Sequence, residues 1–490
     1  MAAPSRGAAA GLSRRTDRRP GPVRAWSGNP PGSTVSDVTA TQRQVERPPG
    51  PEISPLQILR LIQARRPTDF LELATRRSPT LAHFRLGREH MYLLGTPELI
   101  RGLLLGHGRV AAKGRGLEQA RRLLGQGLLT SEGELHRRQR RLIQPAFHQT
   151  RVRGYAEQMH AAAMELTRAG RWRDGEVREV AADMADLTLR IVGRTLFATD
   201  LAADSTGVAG ALSTFLGHAQ RVMMPGGPLL NRLPLPSSRR LTVAGADLDR
   251  LVYRLIAEHR AAGDRGDMLS RLLAARDEDG TAMPDRQIRD EVLTLLLAGH
   301  ETTANALSWS WLLLDQHPEA ADRLHAEVDA LPGAACYDDL DRLPFSHAVV
   351  AESMRLYPPA WVVGRRMLAD VTLEGWTVPA RSICVACQWV THRDPRWWTE
   401  PLDYRPERWL TSTGRYDEAA PGQPRGAYFP FGMGRRVCIG ESFAWTEAVL
   451  VLAALARDWA PALVPGHPVD VRPAITLRPA HGLRMTLHRR

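Results

Sequence analysis

The longest apolar pattern in the chain runs from Pro284 to His317, where hydrophobic residues recur at helical spacing. The pattern covers roughly 32 residues, which at 1.5 Å per residue corresponds to a helix roughly 48 Å long. A helix this long and mostly apolar has to cross the interior of a large domain. Pro284 is followed by acidic residues, and both features favour the start of a helix. The sequence therefore predicts a long buried helix.

Shorter patterns lie on either side of this segment. Alternating apolar residues predict a short hairpin at Thr80–Leu86 and Met91–Leu94. Helical spacing predicts helices at Pro97–Leu105, Gly133–Pro145 and Ser346–Leu356. These patterns predict helices with a short hairpin among them.

The first part of the chain shows no apolar periodicity and is rich in Ala, Gly, Pro, Ser and Arg. Such a composition cannot bury enough surface to offset chain entropy, so residues 1–47 are predicted to be a disordered tail. It contains no secretory apolar segment. A transit peptide is the alternative, because Asp17 is the only acid in the first 36 residues, but Pro20 and Pro22 interrupt any amphipathic helix there. The motifs below favour one folded domain at residues 48–490.

Charge and composition exclude several classes of protein. The net charge is +12, and Lys113 is the only lysine, which indicates codon bias toward arginine more than selection for charge. With aromatic residues at only 6%, the basic balance does not predict nucleic-acid binding. No run of eighteen apolar residues exists, so no membrane span is expected. Four scattered cysteines are too few for a disulfide framework, which indicates a reducing compartment and a cytoplasmic protein.

One stretch, Phe429–Gly440, places Cys438 in a loop just before an apolar helical pattern. The loop also contains three glycines, Gly432, Gly434 and Gly440. Glycine can take backbone conformations closed to other residues and lets a flat ligand approach the main chain. A cysteine near a helix start, beside Arg435 and Arg436, is biased toward the thiolate, the form that binds metal. The alternative for a lone cysteine is a small buried hydrophobic residue.

The long predicted helix contains the segment Ala298–Thr303, which reads A-G-H-E-T-T. Gly299 removes a side chain, so that something can lie against the helix. Thr302 can bond back to a carbonyl of its own helix or turn its hydroxyl toward a ligand. Glu301 beside it can supply a proton relay, which requires an acid within reach of the reacting group. A surface acid beside a structural threonine is the alternative.

Glu352 and Arg355 are three residues apart, so a helix places their side chains on one face. Arg408 follows later in the segment Pro-Glu-Arg-Trp. Alone, such a pair has little meaning, because surface pairs of this kind are common.

Together these motifs resemble the cytochrome P-450 family, whose haem-ligand signature reads F-G-x-G-x-R-x-C-x-G. Every fixed position is filled, by Phe431, Gly432, Gly434, Arg436, Cys438 and Gly440. The family's A-G-x-[DE]-T-T, E-x-x-R and P-E-R-[FW] motifs also occur in order, and the resemblance covers about residues 48 to 490. It implies the mainly helical P-450 fold with a small β-rich subdomain.

The resemblance also implies roles for individual residues. Cys438 would bind the iron of haem b, and Thr302 and Glu301 would deliver protons to dioxygen. The expected cofactor contacts are His136, Arg140, Ala298, Gly299, Arg365, Phe431, Arg436 and Gly440. The expected substrate contacts are Ala360, Val362 and Val363. The expected structural network is formed by Glu352, Arg355 and Arg408. Arg366 remains the alternative to Arg365, and His392 has an expected structural role with a haem-carboxylate contact as its alternative.

The implied activity is a monooxygenase that inserts one oxygen atom from O2 into an apolar organic substrate, with a terpenoid of specialised metabolism as the favoured class. Electrons would come from a ferredoxin and its reductase, because the chain shows no flavin or iron–sulfur domain. The residues expected to attract an acidic ferredoxin are Arg137, Arg138, Arg141 and Arg435. The chain is expected to be a monomer. A peroxide-using haem enzyme and a non-catalytic haem binder or gas sensor are the alternatives.

Overall fold

The computed structural model describes residues 47–51, 67–168, 170–201, 236–276 and 280–490, with a few isolated positions between 207 and 214. The predicted tail, residues 1–47, lies outside these residues except for its last position. Within them helices predominate, as predicted, and strands are short. The α-helices are α1 (Pro67–Arg77), α2 (Pro97–Arg101), α3 (Arg115–Leu124), α4 (Gly133–Ile143), α5 (Gln149–Arg168), α6 (Val180–Phe197), α7 (Pro236–Ala262), α8 (Met268–Ala274), α9 (Asp285–Gln316), α10 (Pro318–Asp329), α11 (Pro344–Leu356), α12 (Gln388–Thr391) and α13 (Glu441–Ala456). The strands are β1 (Leu81–Leu86), β2 (Glu89–Leu94), β3 (Ala111–Lys113), β4 (Val177–Glu179), β5 (Val363–Met367), β6 (Val371–Leu373), β7 (Trp376–Val378), β8 (Ile383–Ala386), β9 (Ala462–Leu463), β10 (Val471–Pro473), β11 (Leu477–Pro479) and β12 (Arg484–Thr486).

The long apolar pattern forms α9, the central helix of the fold. It begins directly after Pro284, whose extended backbone caps the first turn. It ends before His317, because Pro318 has no N–H to continue the helix and instead starts α10. From Asp290 to Leu314 almost every residue is buried against neighbouring helices, chiefly α6. The predicted boundaries and burial of this helix are confirmed.

The main apolar core surrounds α9. The helices α5, α6, α7, α11 and α13 contribute apolar side chains to it. Trp309 and Trp311 of α9 are fully buried, and the ring of Trp309 stacks on Tyr357 with centroids 4.2 Å apart. Aromatic pairs of this kind add to the free energy of burial. The core therefore fixes α9 along its length, and the residues that it carries are held rigidly.

A five-stranded sheet lies beside this core, with strand order β1-β2-β8-β5-β3. The predicted hairpin is present, since β1 and β2 pair antiparallel with Leu81 opposite Leu94. The strand β8, which carries Cys384, is buried at every position. The outer pair β3–β5 places Lys113 opposite Arg365. This pairing joins two segments that are far apart in the sequence.

Three smaller sheets complete the described structure, in the orders β4-β12-β9, β10-β11 and β6-β7. The β10–β11 hairpin packs against α9, where the indole N–H of Trp309 donates to the carbonyl of Leu477 at 3.2 Å. Among the described residues, no helix has the length and apolar character that a membrane span requires.

Candidate active site

The loop before α13 holds Cys438 in a tight turn. Gly432 and Gly434 have φ values of 73° and 74°, in the left-handed region that favours glycine. A Cβ on Gly434 would lie 2.5 Å from the carbonyl oxygen of Leu104, so no larger residue fits there. The N–H of Cys438 donates to the carbonyl of Phe431 at 3.0 Å and closes the loop. The third glycine differs from the prediction, because Gly440 has φ of −94° and simply caps the start of α13.

The thiol of Cys438 differs from the other cysteines of the core. Cys384 and Cys387 are fully buried, whereas the Cys438 side chain is exposed to a cavity of about 410 Å³ that Arg140 and Trp445 also line. The surrounding protein nevertheless desolvates the thiolate and raises the pKa of Cys438 to about 11, against the N–H of Gly440 and the charge of Arg140. The expected bias toward thiolate is therefore wrong for the protein alone. A bound metal ion has to supply the charge that deprotonates the thiol.

Three positions interrupt the burial of α9. Ala298 is exposed, and Gly299 and Thr302 are half-buried, while all other residues from Asp290 to Leu314 are buried. Residues three and four positions apart share a face of a helix, so Thr302 shares a face with both Gly299 and Ala298, and the three form one less buried surface. The Thr302 hydroxyl lies on this surface and donates to the carbonyl of Ala298 at 2.6 Å.

Gly299 lets another part of the fold lie against α9, as its missing side chain predicted. A Cβ added there would lie 3.0 Å from a methyl group of Val192 on α6. The glycine thus admits the neighbouring helix, and α6 and α9 approach closely at this point. The expected contact of Gly299 with the cofactor stays a prediction.

Glu301 points away from this surface, toward the β10–β11 hairpin. Its Oε1 accepts a hydrogen bond from the Thr476 hydroxyl at 2.5 Å and lies 3.2 Å from Nε of Arg478. Burial raises the pKa of Glu301, while Arg478 and Thr476 oppose that change. The adjacent residues Glu301 and Thr302 therefore have different partners, and a proton path between them needs a side-chain movement or an intervening water.

A second group of residues, here called the cationic cluster, gathers positive charge inside the fold. Its members are Lys113, His136, Arg365 and Arg436. Burial, followed by repulsion from Arg436, lowers the pKa of Arg365 to about 10 and that of Lys113 to about 7. Two buried nitrogens of the cluster, Nε2 of His136 and Nη1 of Arg436, have no hydrogen-bond partner among the described residues. Buried polar atoms are normally paired, so this cluster is suited to hold an anion.

The sequence indicated three members of the cluster but not Lys113. The ammonium of Lys113 donates to the carbonyls of Leu128 and Ser131, each at 2.7 Å. Its backbone N–H donates to Glu132, whose other carboxylate oxygen pairs with Arg436. Lys113 is the only lysine of the chain. This could have indicated a special role, but the composition was interpreted as codon bias toward arginine.

Arg140 lies at the cysteine loop, whereas Arg365 belongs to the cationic cluster. Nη1 of Arg140 donates to the carbonyl of Val437 at 2.9 Å, so its guanidinium lies at the cysteine loop. On β5, Arg366 pairs with Glu89 and Glu118, while Arg365 faces the interior. This alternation along the strand favours Arg365 over Arg366 as the residue that faces an internal ligand.

The expected structural residues form a complete ion-pair network, here called the α11 network. Arg355 donates to both carboxylate oxygens of Glu352 at 2.8 Å, and Nε of Arg408 lies 3.0 Å from Glu352 Oε1. The indole of Trp409 donates to Glu352 at 2.9 Å. The remaining N–H groups of Arg355 donate to three backbone carbonyls, those of His392, Pro401 and Asp403.

The imidazole of His392 accepts from the N–H of Phe429 at 3.1 Å, consistent with its expected structural role.

The expected substrate contacts are divided by the fold. Ala360, Val362 and Val363 are all half-buried. Val362 packs with the apolar cluster around Trp361, whereas Val363 packs with the cluster on the other side of the sheet. Val362 directly precedes β5 and Val363 begins it. The two valines pack with different apolar clusters, and their role as substrate contacts stays a prediction.

Comparison with known proteins is consistent with this geometry. Residues 48–479 match the family described as Cytochrome P-450. The chain is 40% identical over 431 residues to cyclooctatin synthase from Streptomyces melanosporofaciens, which covers 87% of this chain and 92% of that protein. It is 36% identical over 429 residues to pentalenene oxygenase from Streptomyces avermitilis, covering 86% and 92% of the two chains. Among solved structures, the cytochrome P450DA heme domain matches with a TM-score of 0.79 and 28% identity, over 90% of this chain and 97% of that one.

Proposed function

Because the chain belongs to the cytochrome P-450 family and is a haem-dependent monooxygenase, we propose that it oxidises an apolar cyclic terpenoid. The observation that carries this proposal is the surface of Ala298, Gly299 and Thr302 in the middle of an otherwise buried helix. It offers an apolar wall with one hydroxyl, which suits a hydrocarbon skeleton that has to be held near a proton donor. Relatives named for pentalenene and for cyclooctat-9-en-7-ol support the same class of substrate.

The described residues fit a haem. Cys438 would ligate its iron, since the glycine-rich loop leaves its side chain exposed just before α13, unlike the buried Cys384 and Cys387. The cationic cluster would hold the haem carboxylates, because it contains two unpartnered buried nitrogens and an excess of positive charge. When bound, the haem supplies the electron chemistry that activates dioxygen. The protein has to supply orientation, protons and exclusion of water.

Thr302 and Glu301 are the residues that would handle protons. The Thr302 hydroxyl is on the exposed surface of α9 and can exchange its bond to the Ala298 carbonyl for one to a ligand. Burial raises the pKa of Glu301 in the direction of neutral pH, which suits a group that has to give and regain a proton. In the structure the Glu301 carboxylate is bound by Thr476 and Arg478 of the β10–β11 hairpin.

Electrons would come from a separate acidic ferredoxin and its reductase. The arginines expected to attract it lie on α4 and in the cysteine loop. Arg137 and Arg141 of α4 and Arg435 of the loop are exposed, and Arg138 of α4 is half-buried. A basic surface steers an acidic partner, and this attraction weakens with salt.

Replacing Arg141 and Arg435 by Glu should slow reduction by ferredoxin severalfold at low salt, while Arg250→Glu on the exposed face of α7 serves as the matched control. Equal reduction rates in both variants would refute the proposal that ferredoxin binds this surface. A monomeric state and a cytoplasmic location complete the proposal.

The substrate class is tested by titrating the purified protein with pentalenene, cyclooctat-9-en-7-ol and a linear fatty acid of similar carbon number. We expect a low-to-high-spin shift with the cyclic alkenes at micromolar concentration and a weaker one with the fatty acid. Turnover under ¹⁸O2 should then place one labelled oxygen atom in the product. A shift with the fatty acid alone would refute the terpenoid assignment, and an unlabelled product would refute oxygen insertion from O2.

A further inference from the structure

The hydrogen-bond geometry fixes the tautomer of His136. Its Nδ1 lies 3.2 Å from the carbonyl oxygen of Leu128, which can only accept a hydrogen bond. The Ser131 hydroxyl, 3.5 Å from the same nitrogen, is committed as a donor to Gln139. Nδ1 therefore carries a hydrogen and donates it to Leu128.

The other ring nitrogen is left as an acceptor. In a neutral imidazole only one nitrogen carries a hydrogen, so Nε2 of His136 is bare when Nδ1 is protonated. This Nε2 is buried and has no hydrogen-bond partner among the described residues. A carboxylate oxygen is also only an acceptor. A haem carboxylate that reaches Nε2 would thus meet a lone pair, and a hydrogen bond forms only if the ring gains a proton.

The surroundings explain why the ring is neutral before an anion arrives. Burial, then the charges of Lys113 on β3 and Arg436 in the cysteine loop, lower the pKa of His136 to about 4. Glu132 and the carbonyl of Leu128 oppose this change. Arg365 on β5 adds a further positive charge, which acts on Lys113 and Arg436. A carboxylate placed among these groups reverses the balance, because it attracts the imidazolium and neutralises the neighbours that repel it.

We propose that His136 takes up a proton when a haem carboxylate binds, so that cofactor binding and proton binding are linked at this side chain. The inference rests on the proposed role of His136 as a carboxylate anchor. Haem binding raises the pKa of the ring, so the extra affinity is complete at low pH and is lost as pH rises toward the pKa of the haem-bound form. Over that window the affinity falls about tenfold per pH unit for one linked proton. A tryptophan or glutamine at this position would donate an N–H without any such dependence.

Nitrogen NMR of the holoprotein tests the protonation state directly. The ferrous protein under carbon monoxide is diamagnetic, and ¹⁵N-labelled histidine signals of its rings are observable. The His136 signals are assigned by their absence in His136→Gln. We expect both ring nitrogens of His136 to carry hydrogen at pH 6. A neutral ring with hydrogen on Nδ1 alone at that pH would overturn the proposal.

Release of haem to apomyoglobin gives the functional test. The wild-type rate should rise with pH, by up to about tenfold per unit between pH 6 and 9, whereas His136→Gln should release haem at a rate that rises less steeply with pH, through Lys113, whose pKa of about 7 lies in the same range. Lys113→Met should keep the part of the wild-type slope that His136 contributes, and loss of the whole slope in Lys113→Met would overturn the proposal. A slope in His136→Gln equal to that of the wild type would overturn the proton linkage and leave the anchor role intact. Release from His136→Phe no faster than from wild type would instead refute the anchor role itself.

Discussion

The α11 network and the cationic cluster are both buried groups of charge, but they differ in how completely their polar atoms are paired. In the α11 network, Arg355 is fully buried and each of its terminal nitrogens donates to an oxygen. In the cationic cluster, Nε2 of His136 and Nη1 of Arg436 are buried without a partner in the described part of the chain. Both groups contain guanidinium side chains that pair with a carboxylate, Glu352 in the α11 network and Glu132 beside the cationic cluster, so the presence of such a pair does not separate them.

This difference separates a structural role from a binding role. A buried charge without a partner costs several kcal/mol, so a fold tolerates it only where something else supplies the partner. The α11 network is complete within the chain and can stabilise the fold alone. Under the proposal, an anionic ligand would complete the cationic cluster, and the haem carboxylates would supply the negative charge that it lacks.

The largest effect is expected from breaking the complete network. Glu352→Gln leaves Arg355 buried without a counter-charge, which should lower the free energy of unfolding by about 3–5 kcal/mol or prevent folding. Denaturant unfolding followed by circular dichroism measures this change. Asp338→Asn, which breaks the exposed ion pair with Arg153, should cost less than about 1 kcal/mol. Similar costs for the two variants would remove the basis of the comparison.

The opposite pattern is expected in the cationic cluster. Arg365→Met removes a desolvated cation, so protein stability should change little, whereas haem release should accelerate by about 10- to 100-fold through loss of a charged hydrogen bond. Arg366→Met on the same strand, whose partners Glu89 and Glu118 lie on the other side, is the control. The haem-transfer rate and the thermal midpoint are the two measurements. Faster release from Arg366→Met than from Arg365→Met would reverse the assignment.

A smaller effect is expected on the exposed surface of α9. Thr302→Val keeps the shape of the side chain and removes the hydroxyl, so the yield of product per NADH consumed should fall about tenfold. Ser308→Ala is the matched control, because Ser308 makes the same bond to the carbonyl four residues earlier at 2.6 Å but is buried. Product and NADH are quantified in one reaction. An unchanged yield in Thr302→Val would exclude Thr302 from proton handling.

An effect that depends on pH is expected from Glu447 on α13, a buried acid outside both groups. Burial raises its pKa from 4.5 to about 8, with the Thr303 hydroxyl opposing. Between these values the folded protein holds a proton that the unfolded chain releases, so stability should fall as pH rises, by at most about 1.4 kcal/mol per unit. Glu447→Gln should weaken this dependence between pH 5 and 8 in denaturant titrations. An unaltered pH dependence would mean that Glu447 is ionised in the folded protein.

The local features of the fold were predictable from the sequence. The boundaries of α9 follow from Pro284 and Pro318, and the pairing of Glu352 with Arg355 follows from helical spacing. Arg408 was assigned to the same network through a motif, and the structure places it there. In each case the signal lies within one segment or one motif.

The remaining features depend on contacts between distant segments. Lys113 joins the cationic cluster because β3 pairs with β5, and no local pattern indicates that pairing. The thiol pKa of Cys438 was predicted in the wrong direction, because desolvation by the folded chain outweighs the nearby charge of Arg140. Glu301 bonds to Thr476 across a distance of 175 residues in sequence, so its orientation could not be predicted.

The most direct test of the account is the absorption spectrum of the dithionite-reduced protein under carbon monoxide, recorded beside Cys438→Ser and Cys384→Ser. Thiolate ligation by Cys438 predicts a Soret band at the long-wavelength position typical of haem-thiolate proteins, lost in Cys438→Ser. The same band should be retained in Cys384→Ser, since that cysteine is buried in β8. A short-wavelength band in folded wild-type protein, or a long-wavelength band that survives in Cys438→Ser, would contradict the assignment of Cys438 as the iron ligand.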